Sequence, residues 1–149
     1  MPAALALPAI QTAIVVKLKA DATTIAQLSA GAASVFNTAP PGAPFRYLTV
    51  GKGTEQPDHT MGPDGLLKWG ANCTIEIAAR SQDASDLPLL TLIGRVKALF
   101  EGQPLVVTGY GSVIVGVDSV PAIVDEVVDN RETRTQPLIL RVIVHEGTR

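Results

Sequence analysis

Charge, aromatic rings and cysteine are all scarce in this chain. Of its 149 residues only 17% are Asp, Glu, Lys or Arg and 4% are aromatic, and the formal net charge is −2. The twelve Lys and Arg are scattered singly. Binding nucleic acid by phosphate neutralisation needs several cations on one face, and base stacking needs rings. Sequence-specific nucleic-acid binding is therefore not expected. The single cysteine, Cys73, excludes an internal disulfide, and no set of ligands has the spacing of a metal site, so neither metal nor cofactor is expected. No apolar run reaches the ~18 residues a membrane span requires. Residues 1–16 are apolar but lack the basic residues that precede a signal-peptide core, and Gln11 and Thr12 interrupt them. The expectation is a protein made in the cytoplasm with no membrane partner.

What is present is apolar: 46% of the residues. A chain of this length forms one domain and buries about 68–70% of its unfolded surface. It needs no disulfide to hold a core. Such a composition means either a large core or apolar surface kept for neighbours. Cys73 lies in the strand-like run Cys-Thr-Ile-Glu-Ile-Ala and reads as a buried, inert thiol.

The spacing of Leu7, Ile10, Ile14 and Leu18 predicts a helix over about 8–20, with Lys17 and Lys19 near its end, where cations favour the dipole. Asp21 caps a shorter helix through Leu28, which Gly31 stops. A short strand at Val35-Phe36 leads into a connection stiffened by Pro40, Pro41 and Pro44, and a second strand follows over 45–54. Residues 55–65 hold two Pro, two Gly and three acids, and read as a long polar hairpin loop. The alternation of Cys73, Ile75 and Ile77 with Asn72, Thr74 and Glu76 predicts a strand over 67–80, buried on one face. Ser85 or Asp86, Pro88 and Gly102 bound the clearest helix, striped by Leu89, Leu92, Ile93, Val96, Leu99 and Phe100. The rest reads as strand: 105–108, 112–128 broken at Pro121, and 137–146. In the last strand Ile139 and Ile143 share a face with Arg141 and His145, so that face is only half polar. The fold expected is a single α+β domain over 1–149, a mainly antiparallel sheet with two to three helices packed on one face.

No motif reads as chemistry. Gly51-Lys52-Gly53-Thr54 has Arg46 where a phosphate-binding loop needs glycine, and a polar loop rather than a helix follows. Gly109-Tyr110-Gly111-Ser112 joins strands and carries Ile114 where a dinucleotide fingerprint needs its third glycine. Neither His59 nor His145 has a Ser or Cys nucleophile placed beside it by sequence, and His59, next to Asp58, reads as solvated. Asp118, Asp125, Glu126 and Asp129, followed by Arg131, Glu132 and Arg134, read as a solvated edge or as a contact between copies that sets register. No catalytic residue is expected, and the chain is not read as an enzyme.

The order of elements resembles the tail-completion (tail-terminator) proteins of long-tailed bacteriophages over nearly the whole chain. The stretches that carry the likeness are 39–51, Ala-Pro-Pro-Gly-Ala-Pro and the strand ending Thr-Val-Gly, and the helical stretch 83–100. One departure is Phe45-Arg46-Tyr47, where relatives more often carry Pro directly before Tyr. The resemblance implies a virion protein at the head–tail junction that caps the tail tube as a hexameric ring. Its partners would be further copies of itself, the tail tube protein and the head-side connector protein. On that footing Glu55, Asp58, His59 and Asp64 are candidate tube or connector contacts. Asp125, Glu126, Asp129, Arg131 and Arg134 are candidate contacts between subunits. The alternatives are another head–tail connector or tube-related protein and, from a different class, a small ligand-binding enzyme with a polar-lined pocket.

Overall fold

Residues 5–61, 65, 67–83, 85–128 and 131–146 are described by the computed structural model. The apolar repeat at the start forms α1 (Leu7–Ala20), whose Ile10, Ile14 and Leu18 are fully buried. Pro8 sits in its first turn, where the missing N–H costs nothing. Asp21 ends α1 and opens α2 (Ala22–Ile25). Its N–H donates to the Leu18 carbonyl (3.3 Å), and its carboxylate accepts from the Thr24 N–H (3.0 Å). The second helix is thus a single turn, shorter than the sequence suggests, and Gly31 (φ +59°) opens a 3-10 turn, Gly31–Ser34.

The strands are β1 (Val35–Phe36), β2 (Tyr47–Pro57), β3 (Thr60–Met61), β4 (Leu67–Lys68) and β5 (Gly70–Ser81). After α3 (Leu87–Phe100) come β6 (Ser112–Ser119), β7 (Val124–Val128) and β8 (Arg131–His145). The main sheet has the order β1-β2-β5-β8-β6, with β7 also on β8 and β1 parallel to β2; the other pairings are antiparallel. This is the expected α+β class. Three boundaries differ from the sequence reading. The polar residues 55–57 belong to β2, held in register by Ala71, Asn72 and Cys73, and β3 and β4 form a small hairpin of their own beyond them. Residues 105–108 run in no strand; Leu105 and Val107 are buried as in one, but no ladder partner meets them.

The third difference is β8, which begins six residues before Pro137. β6 pairs with β8 as far as Ile139 and β7 only from Thr135, so residues 136–138 have a neighbour strand on the β5 side alone. Pro137 falls in that gap, where a residue without an N–H is tolerated. The buried Gln136 amide fills it, donating to the carbonyls of Pro121 (2.7 Å) and Pro137 (2.8 Å) and tying down the β6–β7 connection.

α1 and α3 cover one face of the sheet, over Leu48, Val50, Ile75, Ile77, Leu138, Leu140, Val142 and Val144, all fully buried. Leu89, Leu92, Ile93, Val96 and Phe100 bring α3 into the same core. Each large side chain so buried contributes about 1.5–3 kcal/mol. On the opposite face Ile139 and Ile143 are half-buried and Ile114, paired with Ile143, is exposed. β8 is therefore apolar on both sides with helices on only one.

Candidate interaction surfaces

Glu55 lies on β2 and turns towards the helical layer. Its Oε1 accepts from the Leu7 N–H (2.8 Å) at the first turn of α1 and lies 3.8 Å from Cys73 Sγ. A carboxylate there opposes the positive end of the helix dipole. Burial, then the Glu55 charge, pushes the Cys73 thiol up to about 12. Burial, with Glu55 behind it, also raises the Tyr110 hydroxyl. Cys73 is fully buried, as the inert-thiol reading expects.

Asp58 and His59 sit where β2 gives way to the β3–β4 hairpin, and both are tied to distant strands. The Asp58 N–H donates to the Gly70 carbonyl (3.0 Å), and the Asp58 carbonyl lies 2.9 Å from His145 Nε2. Asp58 Oδ2 lies 3.5 Å from the same nitrogen. His59 Nδ1 accepts from the Gly70 N–H (3.2 Å), and its ring lies 6.1 Å from that of Trp69. Trp69 and Glu146 exchange two hydrogen bonds (3.0 and 3.1 Å). Gly70 is required at the centre: a Cβ there would come within 2.3 Å of the Asp58 carbonyl and 2.2 Å of His145 Cδ2. His145, Trp69 and Glu146 were absent from the sequence-derived set, because nothing local links residues 87 positions apart. Asp64 lies outside the described residues.

Asp125, Glu126 and Arg134 share the β7–β8 ribbon. Asp125 faces Arg134 across the strands, and Glu126 faces Thr133. Arg134 lies 3.0 Å from Asp86 before α3, 3.5 Å from Asp125 and 3.9 Å from Glu132. It is thus engaged within its own chain, with Asp86 the partner that sequence spacing did not reveal. Arg131 opens β8 opposite Val128, and Asp129 lies outside the described residues.

Two polar hollows lie beside the proline-rich crossing. One, of about 730 Å³, includes Pro40, Tyr47, Lys52, Glu76 and Arg80, with the Arg80 guanidinium 5.9 Å from the centre of the Tyr47 ring. The other, of about 550 Å³, includes Arg46 and Asp83, an ion pair at 3.1 Å. In the second, the Ser81 hydroxyl donates to Asp83 Oδ2 (2.5 Å), the same oxygen that Arg46 holds. Among the described residues no three His, Cys, Asp or Glu side chains are placed to hold a metal ion, and no helix is long and apolar enough to cross a membrane.

These features define a one-domain α+β protein whose helices screen one face of a largely antiparallel sheet. No family model matches the chain, and no curated protein matches it. Among solved structures it is similar to a chain of the virion of a native gene transfer agent particle. That likeness has a TM-score of 0.67 and 22% identity, over 93% of this chain and 96% of that one. At this identity what the likeness shows is the fold.

Proposed function

We propose that this chain is a structural virion protein, and specifically a tail terminator: a ring of copies that caps a phage-like tail tube and offers its outer face to the head-side connector. The observation that carries the reading is the fold shared end to end with a chain of a gene transfer agent virion. The sequence resemblance of 39–51 and 83–100 to tail-completion proteins points the same way. The mechanism is geometric. One ring face copies the tube's repeating interface and the other does not, so tube growth ends there. It asks for no catalytic residue, metal or cofactor.

In this reading the segment 55–65, with Glu55, Asp58, His59 and Asp64 as its candidate residues, meets the tube or connector, although the Glu55 carboxylate is already engaged by the Leu7 N–H. The Asp125, Glu126, Asp129, Arg131 and Arg134 stretch lies between subunits. The test is the mass of the purified protein, alone and with tail tubes, together with electron microscopy of the tube ends. A hexameric cap on one end that blocks further growth is expected. A monomer or dimer that leaves both ends growing would refute the reading. A ring on some other part of the particle would transfer the chain to another connector or tube-related role.

A further inference from the structure

Two exposed features of this chain match one another. The first is a trough of about 680 Å³ between the outer side of α1 and residues 104–108. Ala9, Ala13 and Val16 line one wall, Pro104 and Val106 the other, with Lys17 the charged residue between them. The solvent side of a helix packed on a core is ordinarily polar. Here Val16 is 61% exposed and Val106 88%. The walls are held together: Lys17 Nζ donates to the Pro104 carbonyl (2.6 Å) and stands 5.5 Å from the centre of the Phe100 ring. The trough is therefore a formed surface.

The second feature is the β7–β8 ribbon. Its outer part runs past the last pairing with β5, at Ser81 and Arg134. Val127 is 76% exposed there and lies directly across from Glu132; Asp125, two residues along the strand, shares its face. Arg134 is on that face too, 3.0 Å from Asp86 and within 3.5 and 3.9 Å of Asp125 and Glu132, so each of those acids has a weak partner in its own chain and open oxygens besides. The result is an apolar knob between two carboxylates, and both carboxylate side chains are more than half exposed.

We propose that the Val127 face of one copy seats in the trough between α1 and residues 104–108 of the next. Asp125 and Glu132 then stand beside Lys17, the charged residue of the trough lining. The proposal rests on the ring reading above and specifies its side-to-side contact. A second copy is the occupant because sign and polarity complement: the trough is apolar with a cation and no acid in its lining, and the knob is apolar with acids on both sides. Lys17 has donors to spare, since an ammonium offers three and one is used on Pro104. The patches are different parts of one surface, so the contact is heterologous, and a heterologous contact closes into a ring when its rotation permits.

The test uses two variants of exposed positions, which leave the core intact: Val106→Asp in the trough and Val127→Asp on the ribbon. Each is expected to weaken ring formation by about tenfold or more in native mass spectrometry, with tail tubes present if the ring needs them. Mixed together, they have one intact ribbon for one intact trough and should give a one-to-one heterodimer and nothing larger. As a second measurement, Val106→Cys with Val127→Cys should oxidise to cross-links between chains. Rings that persist in either aspartate variant, or the absence of such cross-links, would overturn the proposal and leave the ring reading standing. A wild type that forms no ring even on tubes would overturn both.

Discussion

Asp21 links the end of α1, the start of α2 and α3, and its replacement gives a calculable loss. Its carboxylate accepts the Thr24 N–H (3.0 Å) and hydroxyl (2.6 Å) at the start of α2. It also accepts Arg95 Nε (3.0 Å) and Nη2 (2.7 Å), so it ties α3 to the end of α1. Removing a capping carboxylate costs 0.5–2 kcal/mol, typically about 1. The two-pronged Arg95 contact adds to that, though the Arg95 side chain is 38% exposed and solvent screens it. Asp21→Ala should therefore cost about 2 kcal/mol, the top of the capping range. For a domain of this size that lowers the melting midpoint by about 4–8 °C.

The same carboxylate gives a pH signature of known sign. Hydrogen bonds from Arg95, and then from Thr24, hold the Asp21 carboxyl well below the usual carboxylate range, against the opposing effect of burial. The unfolded group titrates near pH 3.9. Its stabilisation is thus complete at neutral pH and is lost as the pH falls below about 4 towards the folded value. Asp21→Asn keeps a cap acceptor but cannot titrate. Urea unfolding of wild type, Asp21→Asn and Asp21→Ala at pH 7 and pH 3 separates the effects. The gap between wild type and Asp21→Asn should shrink at pH 3. An equal gap at both pH values, or an Asp21→Ala loss under about 0.5 kcal/mol, would refute the assignment.

Two further expectations concern the interior near α1. Native Cys73 should label with a thiolate-specific reagent on the order of a thousandfold more slowly at pH 8 than an ordinary thiol, since burial pushes it up to about 12; labelling at an ordinary rate before unfolding would contradict this. Glu55→Gln keeps an acceptor for Leu7 but removes the charge from the positive end of α1, which should cost about 0.3–1 kcal/mol in urea unfolding. Because the Glu55 charge helps raise the Cys73 thiol, the same variant should label faster than wild type, and slower labelling would refute the link.

The sequence revealed elements whose signals are local. The repeat of Ile10, Ile14 and Leu18 and the Pro88 and Gly102 bounds of α3 depend only on helix geometry, and the structure places both helices within a residue or two. Composition misleads where a partner strand decides the conformation. Residues 55–57 look like loop by composition but are strand because Ala71, Asn72 and Cys73 lie opposite them. Residues 105–108 alternate like a strand, yet they meet no ladder. Pro137 looked like a strand start and is a strand middle, because the gap between β6 and β7 lies beside it. The candidate surfaces suffered most. Asp58 with His145, and Arg134 with Asp86, are joined only through sheet topology, and no short-range pattern announces either pair.

The composition posed a choice between a large core and apolar surface kept for neighbours; the core is large, and apolar side chains also stand exposed outside it. The core fills the space between α1, α3 and one sheet face, while Val16, Val106, Ile114 and Val127 remain exposed outside it. The contact proposed between the Val127 ribbon and the trough would be specified mainly by shape, and many residue combinations satisfy shape. Cores are similarly permissive when volume and pattern are kept. A fold that rests on packing and pattern can therefore be kept while most residues change, as the shared fold at 22% identity illustrates.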